Sequence, residues 1–458
     1  MANSLRKNVD MVNGPLFKNI WIYTVPVIMT GILQLLFNAA DLVVVGRFCG
    51  SVCVAAVGAT GAIINLVVNL FIGLSVGVGV TVATALGAKD DAKVSESIHT
   101  AMPVGLIGGI VLAVLGLFIT YPLLSLMETP EDVIDLSATY MKIYFCGMPG
   151  SLLYNYGAAV LRADGDTKRP LTYLTIAGVV NVLLNLFFVI VIGFDVAGVA
   201  LATIISQLVS ATLVLLALAR RKDSCRFEPV KMRIKKDPLV NIVRIGLPAG
   251  IQGSLFSISN VIIQSSVNSF GSAVMAGNSA ASNIGGFIYT AQNSFSQTAL
   301  NFTGQNMGAG NMDRVRRITR FCLIDVIIVG LAFGIAANIF ARELLGIYLT
   351  DSPASVEIGV VKMLYVCLPY FICGMQEVMT GIIRGLGHSL TPMIVCICGA
   401  CGFRVAWIFA VFNREQFHSL KVLYSSYPIS WILVFATLWI CYRSIYNKKL
   451  EKKREASL

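Results

Sequence analysis

The chain has 458 residues, of which 56% are hydrophobic and 13% are charged, whereas about 25% of the residues of an ordinary soluble domain carry a charge. Its 41 glycines are spread through the apolar runs, and glycine is frequent in membrane helices. These values exclude a soluble enzyme and a nucleic-acid-binding protein, and they predict an all-α integral membrane protein.

Twelve apolar segments follow one another, and each is long enough to cross a bilayer, which takes roughly 20 residues. Most of the 35 lysines and arginines lie on one side if the N-terminus is inside. The positive-inside rule then predicts a multi-pass protein of a bacterial-type cell membrane with both termini in the cytoplasm. The predicted spans are 17–45, 52–86, 97–120, 134–160, 171–193, 196–219, 241–270, 273–307, 317–340, 356–383, 391–412 and 422–446.

The charge and the reactive residues indicate neither a nucleic-acid partner nor catalysis. The net charge of +11 comes from basic residues that mark topology. The eleven cysteines lie mostly inside spans and form no CxxC pairs on loops, so we expect neither a zinc site nor a disulfide framework. His99, His388 and His418 lack metal-ligand or nucleophile spacing. We therefore predict no enzyme activity, no catalytic residue, no metal and no cofactor.

An internal duplication is the most specific signal in the sequence. Three landmarks recur at one nearly constant offset, which coincidence does not explain. They are Pro26 and Pro248, Gly87-Ala88 and Gly308-Ala309, and the motifs Arg162-x-x-Gly165-x-Thr167-x-x-Pro170 and Arg384-x-x-Gly387-x-Ser389-x-x-Pro392. Because each half holds six spans, both halves have the same orientation, and a pseudo-two-fold axis along the membrane normal relates them.

The duplication defines the expected domains. Parallel repeats of this kind are typical of several secondary transporters, whose substrate and ion sites lie near the bilayer midplane, although a fold does not choose a substrate. The expected parts are an N-terminal six-helix bundle over 1–220, a basic cytoplasmic linker over 221–240, a C-terminal six-helix bundle over 241–446, and a basic cytoplasmic tail over 447–458.

Asp41 is the most informative charge inside a predicted span, because an ionised carboxylate at mid-bilayer costs about 2.5–3.5 kcal/mol. Gln34 and Asn38 precede it on the same helix face. A poorly solvated carboxyl group there could take up a proton, or it could bind Na⁺ with neighbouring amide and hydroxyl oxygens. The alternative is a helix-end charge beside Arg47. Residues of the fifth and sixth spans could line the same cavity: Asn181, Asn185, Thr203 and Gln207.

The C-terminal half offers two further charge candidates, Glu377 and Arg404. They form either a structural ion pair or a second coupling site, and the sequence leaves both open. Asp325 is expected to pair with the basic cluster Arg316–Arg320. Gln264 belongs to a polar ladder in the seventh span, and the aromatic rings of Phe37 and Tyr140 could contact organic cations.

The sequence carries several distinctive segments: Pro26…Gln34…Asp41-Leu-Val-Val-Val-Gly-Arg-x-x-Gly, Ala55-Ala56-Val57-Gly58, Gly87-Ala88-Lys89-Asp90, the Arg162 loop and their repeats. Together these segments resemble the multidrug and toxic compound extrusion (MATE) family, over residues 15–446. The resemblance implies export of cationic drugs in exchange for H⁺ or Na⁺. It places the first-helix acid at Asp41 and, as in the DinF-like branch, cation-coupling partners at Asn181, Asn185 and Thr203. Residues implied to line the same lobe are Gln34, Tyr140 and Asn155.

Two departures from the family are visible. The DinF-like branch carries Asp at the position of Asn185, and the acidic positions of the NorM-like branch hold Phe256 and Cys373 here. The chain is therefore expected to lie closer to the DinF-like branch, with one titratable group fewer in its coupling site.

The resulting expectation is a monomeric antiporter that exports amphipathic, cationic organic compounds across the lipid bilayer and uses H⁺ or Na⁺ as coupling ion. Its substrate-binding residues are expected to be Gln34, Phe37, Asn38, Tyr140, Asn155, Gln207 and Gln264. The alternative is a flippase for lipid-linked oligosaccharides of the same superfamily, which often needs a strongly cationic cavity.

Overall fold

The computed structural model describes residues 8–127, 129–349 and 352–455, and these residues form helices and loops without a strand. The α-helices are α1 Leu16–Phe48, α2 Ser51–Gly87, α3 Asp91–Leu126, α4 Glu131–Cys146, α5 Met148–Ala163, α6 Lys168–Leu186, α7 Val196–Ala219, α8 Lys236–Asn268, α9 Ser272–Gly308, α10 Met312–Ile339, α11 Ala341–Gly346, α12 Pro353–Lys362, α13 Tyr370–Gly385, α14 Leu390–Cys396, α15 Phe403–Trp407 and α16 Leu420–Glu455. The all-α prediction is confirmed.

The apolar helices follow the predicted spans. Among the described residues, nine helices are long and apolar enough to cross a membrane, and the pair Pro353–Cys367 and Tyr370–Gly385, bent by 40°, makes a tenth. The two remaining predicted spans fall on α9, which carries many polar side chains, and on α4 with α5.

The fourth and tenth spans, predicted as continuous, are each broken near a proline. The chain turns at Gly147 between α4 and α5, and Pro369 precedes α13. Proline is tolerated in the first turn of a helix, where its missing N–H leaves no bond unmade. Because α5 begins at Met148 and α13 at Tyr370, the break falls at the same place in the two repeats.

The described helices divide into two compact units. The first unit contains Val25–Ser254 and the described N-terminal residues up to Gly14, and the second contains Pro15–Thr24 and the described residues from Leu255 onwards. The start of α1 thus belongs to the second unit and the start of α8 to the first. Residues 1–7 and 456–458, which the predicted N-terminal bundle and basic tail include, lie outside the described residues.

Close contacts explain why the start of α8 belongs to the first unit and the start of α1 to the second. In the first unit, a Cβ on Gly73 of α2 would lie 2.2 Å from the backbone nitrogen of Gly250 on α8, so only glycine permits this approach. In the second unit, the Thr24 hydroxyl of α1 lies 2.8 Å from that of Thr298 on α9. Asn301 also donates to the hydroxyl of Tyr23 at 2.9 Å.

Each unit is organised around one short helix. α5 packs against α2, α3 and α7 in the first unit, and α13 packs against α9, α10 and α16 in the second. Glycines permit the closest approaches: a Cβ on Gly109 would lie 2.4 Å from the Cα of Pro149, and a Cβ on Gly381 would lie 2.3 Å from the carbonyl oxygen of Ser296.

Within the described residues, four π-helical turns interrupt three of the spans. Such turns are rare and often occur at functional sites. One continues α6, one continues α12, and two flank α15 in the eleventh span. Their bounds are Phe187–Val191, Met363–Cys367, Ile397–Gly402 and Ile408–Phe412. Each π turn accommodates extra backbone and so changes which side chains share a face downstream.

The linker is tied to the first unit by polar contacts. The Arg221 guanidinium forms an ion pair with Asp164 in the loop after α5, and Asn8 donates to the same carboxylate at 2.5 Å. His99 Nε2 accepts a hydrogen bond from the backbone N–H of Glu228 at 3.0 Å. The linker therefore follows a defined path along the ends of α3 and α5.

Candidate functional site

The Asp41 carboxylate is the centre of a polar chain in the first unit. Asn185 on α6 donates from Nδ2 to Asp41 Oδ1 at 2.5 Å and to Asn181 Oδ1 at 3.3 Å. Asn181 in turn donates to Thr203 Oγ1 on α7 at 3.5 Å. Helix α1 and the consecutive helices α6 and α7 thus bring together all four residues predicted to couple a cation.

The asparagines of this polar chain are buried, and one of their oxygen atoms lacks a hydrogen bond from any described residue. Asn185 is fully buried and Asn181 is 4% exposed, while Asp41 is half-buried. Asn185 Oδ1 has no hydrogen-bond partner among the described residues, and leaving a buried acceptor unsatisfied costs about 1–3 kcal/mol. A carboxylate, amide oxygens and a hydroxyl are the ligand types that hard cations prefer. A proton on Asp41 is the other species that would neutralise this carboxylate.

Asp41 is not paired with Arg47, the neighbour that the helix-end alternative gives it. In the part of the chain that the structure describes, no ion pair joins it to Arg47. Its bonding partner is the neutral amide of Asn185. The carboxylate can therefore exchange a proton or a metal ion without first breaking an ion pair with that arginine.

Glycine at position 178 permits the close packing of α1 on α6 beside this chain. A Cβ on Gly178 would lie 1.9 Å from the ring of Phe37. Phe37 lies one helical turn before Asp41, and Gly178 lies one turn before Asn181. The contact therefore holds the two bonding helices in register beside the polar chain.

Two tyrosines of α4 flank the carboxylate. The rings of Tyr140 and Tyr144 stack with their centroids 6.1 Å apart, and both side chains interact electrostatically with Asp41. Tyr140 is 8% exposed. Tyr140, a predicted substrate residue, and Tyr144, one turn further along α4, thus lie in the same lobe as this carboxylate.

The other predicted substrate residues of the first unit are dispersed. Gln207 lies one turn beyond Thr203 and bonds to the side chain of Tyr144. Asn155 donates to the backbone carbonyl of Ser151 at 2.8 Å and not to the Asp41 chain. On α1, the predicted substrate residues Gln34 and Asn38 are exposed.

Gln264 belongs to a separate polar network in the second unit. It donates to Asn268 Oδ1 and accepts from Asn278 Nδ2, both at 2.8 Å. Asn278 also accepts from Lys362 Nζ through its backbone carbonyl at 3.1 Å. Lys362 is 7% exposed, and the sequence signal for it is that it occupies the position of Tyr140 in the second repeat.

Glu377 and Arg404, both among the described residues, do not form an ion pair. Arg404 donates from Nε to Ser430 Oγ at 2.9 Å, whereas Glu377 interacts electrostatically with Arg384. Asp325, expected to pair with Arg316–Arg320, instead receives a hydrogen bond from Trp21. Tertiary packing thus selects partners that differ from those suggested by position in the sequence.

The described residues offer no metal centre of the usual kind. Across the described ranges, no group of three or more His, Cys, Asp or Glu residues could hold a metal ion. All eleven cysteines are free thiols.

Comparison with known proteins decides the family. The MatE family matches residues 26–187 and again 248–409, one segment in each half of the duplication. The chain belongs to this family of MATE multidrug efflux transporters. The family consists of multi-pass membrane transporters and not enzymes, as the duplication and the Asp41 motif indicated.

The relatives of this MATE chain cover nearly its full length. It is 27% identical to the probable multidrug resistance protein YoeA of Bacillus subtilis over 94% of the chain and 95% of the relative. It is 30% identical to the probable multidrug resistance protein YpnP of the same organism, over 85% and 87%. A solved outward-facing conformation of a multidrug resistance MATE family transporter superposes with a TM-score of 0.90 at 19% identity, over 97% and 99% of the two chains.

Proposed function

We propose that this protein is a secondary antiporter that exports amphipathic organic compounds, cationic drugs among them, in exchange for H⁺ or Na⁺ bound at Asp41. The observation that carries this proposal is the hydrogen-bonded chain from Asp41 through Asn185 and Asn181 to Thr203. The names of the relatives support the cargo class, since YoeA and YpnP are described as probable multidrug resistance proteins.

The proposed cycle uses differential affinity, without which no coupling results. In the outward-facing state Asp41 takes up the ion, which rearranges its bond with Asn185 and weakens substrate binding in the first unit. Substrate leaves, the protein returns to the inward-facing state, and the ion is released inside. Gln34, Phe37, Asn38, Tyr140 and Gln207 are the proposed substrate contacts of this unit.

The decisive experiment is ethidium efflux from proteoliposomes with a pH gradient and a Na⁺ gradient imposed separately. One gradient should drive efflux by the wild type and neither should drive it in Asp41→Asn, which keeps the shape of the side chain. Asp10→Asn, which changes a carboxylate of the N-terminal segment, is the control. Equal efflux by wild type and Asp41→Asn would refute the proposal.

We further propose that the protein acts as a monomer in the cell membrane with both termini in the cytoplasm. The distribution of basic residues supports this orientation. A C-terminal tag should resist extracellular protease in intact cells and be cleaved after permeabilisation. Cleavage in intact cells would reverse the assigned topology.

A further inference from the structure

In the second unit, positively charged side chains occupy positions that correspond, in the internal repeat, to the candidate site of the first unit. Buried positions in the tenth span repeat those of the fourth at an offset of 222. Val133, Ser137, Tyr140, Met141 and Phe145 correspond to Ser355, Gly359, Lys362, Met363 and Cys367, all buried. Lys362 thus takes the place that Tyr140, a neighbour of Asp41, has in the first unit.

In the eleventh span, the offset that relates its residues to those of the fifth span changes by one. Pro170 and Pro392 match at 222, but beyond the start of the π turn Ile397–Gly402 the buried positions match at 223. The buried residues Ala177, Gly178, Asn181, Asn185 and Val189 correspond to Ala400, Cys401, Arg404, Ile408 and Phe412. Arg404 therefore occupies the counterpart of Asn181, the middle member of the Asp41 chain.

Among the described residues of the second unit, no carboxylate lies within ion-pair distance of either cation. The counterpart of Asp41 at offset 222 is Ile263, a buried apolar residue. In the described ranges, neither Lys362 nor Arg404 forms an ion pair. Glu377 has its electrostatic interaction with Arg384 and a hydrogen bond with Gln376.

Arg404 has one buried donor without a partner among the described residues and lies against two aromatic rings. It is 3% exposed, and its Nη2 has no hydrogen-bond partner in the described ranges. Its Cζ lies 4.2 Å from the ring centroid of Tyr427 and 5.7 Å from that of Trp431. A buried guanidinium without an anion is unfavourable, and its forked donors match carboxylate and phosphate groups.

We propose that the second unit contains a subsite for the carboxylate or phosphate of an amphipathic aromatic solute, with Arg404 as its main ligand and Lys362 as a supporting charge. This inference rests on the proposed transport function and extends the cargo to molecules that carry an anionic group. The anion is a free solute and not a lipid headgroup, because the ring of Tyr427 beside the guanidinium suits a planar organic body.

The test is equilibrium binding to the full chain in nanodiscs of neutral lipid, with fluorescein as the anionic probe and ethidium as the cationic probe. Arg404→Gln should weaken fluorescein binding at least tenfold, Arg404→Lys should weaken it less, and ethidium binding should stay within twofold. Arg443→Gln is the matched control, because Arg443 also lies over a ring, that of Trp439 at 5.7 Å, but is exposed. Equal fluorescein binding by wild type and Arg404→Gln would overturn the proposal, as would no binding by the wild type.

Two additional arms keep the result interpretable. If Arg404→Gln fails to fold, phenyl phosphate should displace fluorescein from the wild type, and Lys362→Gln should weaken binding while Lys142→Gln should not. If phosphatidylglycerol displaced fluorescein from the wild type but not from Arg404→Lys, the site would be a lipid site and the solute assignment would be refuted. Since equilibrium binding needs no gradient, equal ethidium efflux by the wild type and Asp41→Asn would refute the proposed function without deciding whether this subsite exists.

Discussion

The Asn185 side-chain amide donates to the Asp41 carboxylate at 2.5 Å, across 144 residues of sequence. The donor lies near the end of α6, one residue before the last residue of that helix, and a π turn follows. Asn185 is thereby the direct link between the carboxylate of the candidate site and the rest of its polar chain. Its replacement should change the affinity of the site for a cation.

Asn185→Asp should increase cation affinity at the site. A second carboxylate beside Asp41 adds negative charge to a buried group of oxygen ligands, so we expect Na⁺ affinity to rise about tenfold, equivalent to about 1.4 kcal/mol. Isothermal titration with NaCl at pH 8 measures this change. Asn185→Leu, which removes both the oxygen and the nitrogen of the side-chain amide, should bind Na⁺ more weakly than the wild type; stronger binding by this variant would contradict the assignment.

Thr203→Val should reduce coupled efflux, because it removes the hydroxyl that meets Asn181 and keeps the shape of the side chain. We expect the rate under the driving gradient to fall about fivefold, or about 1 kcal/mol. Thr212→Val is the matched control, since Thr212 lies on the same helix and bonds to the carbonyl of Leu208. Equal loss in both variants would indicate a general effect on α7.

Gly178→Ala should separate α1 from α6. The new methyl group would overlap the ring of Phe37, and such overpacking costs about 1–3 kcal/mol. We expect a lower thermal midpoint and impaired efflux, with Gly58→Ala unchanged because nothing lies within 4 Å of its Cβ position. The double variant with Phe37→Ala should recover part of the midpoint; strict additivity of the two losses would show that these residues do not interact.

Arg221→Gln should make stability depend on pH. Burial raises the pKa of Asp164 above its ordinary value, and Arg221 opposes this rise. Without Arg221 the folded-state pKa rises further, so the folded protein binds more protons than the unfolded chain and becomes more stable as pH falls. We expect a loss of about 3 kcal/mol at pH 8 that shrinks towards pH 5. Thermal midpoints at both values measure it; a loss that grows on acidification would reverse the sign.

The sequence predicts the architecture well because its signals are repeated or long. Three landmarks at one offset establish two similar halves, and apolar runs place the span ends within nine residues of the helix ends. The breaks within spans are harder to predict from the sequence. Pro26 and Pro248 lie inside continuous helices, whereas Pro149 and Pro369 lie at helix starts. Local sequence does not distinguish these cases, because neighbouring helices decide whether the freed carbonyl is satisfied.

The candidate site likewise has residues that the sequence predicts and contacts that it does not. Asp41, Asn181, Asn185 and Thr203 could be predicted together because each is polar in an apolar span and matches a family position. The partner of Asp325 could not be derived, because side-chain contacts depend on helix rotation. The matching of Arg404 with Asn181 was hidden by the π turn at Ile397–Gly402, which no residue pattern announces.

That π turn has a consequence for how a duplicated transporter diversifies. A π turn can absorb one inserted residue without ending the helix, so the later side chains of that copy keep their faces while their numbering shifts by one. In the eleventh span, one copy carries the Arg404 guanidinium at the position where the other carries the Asn181 amide. Gene duplication followed by a one-codon insertion and later substitutions is a short evolutionary route from a symmetric carrier to one whose halves differ in the charge of their buried faces.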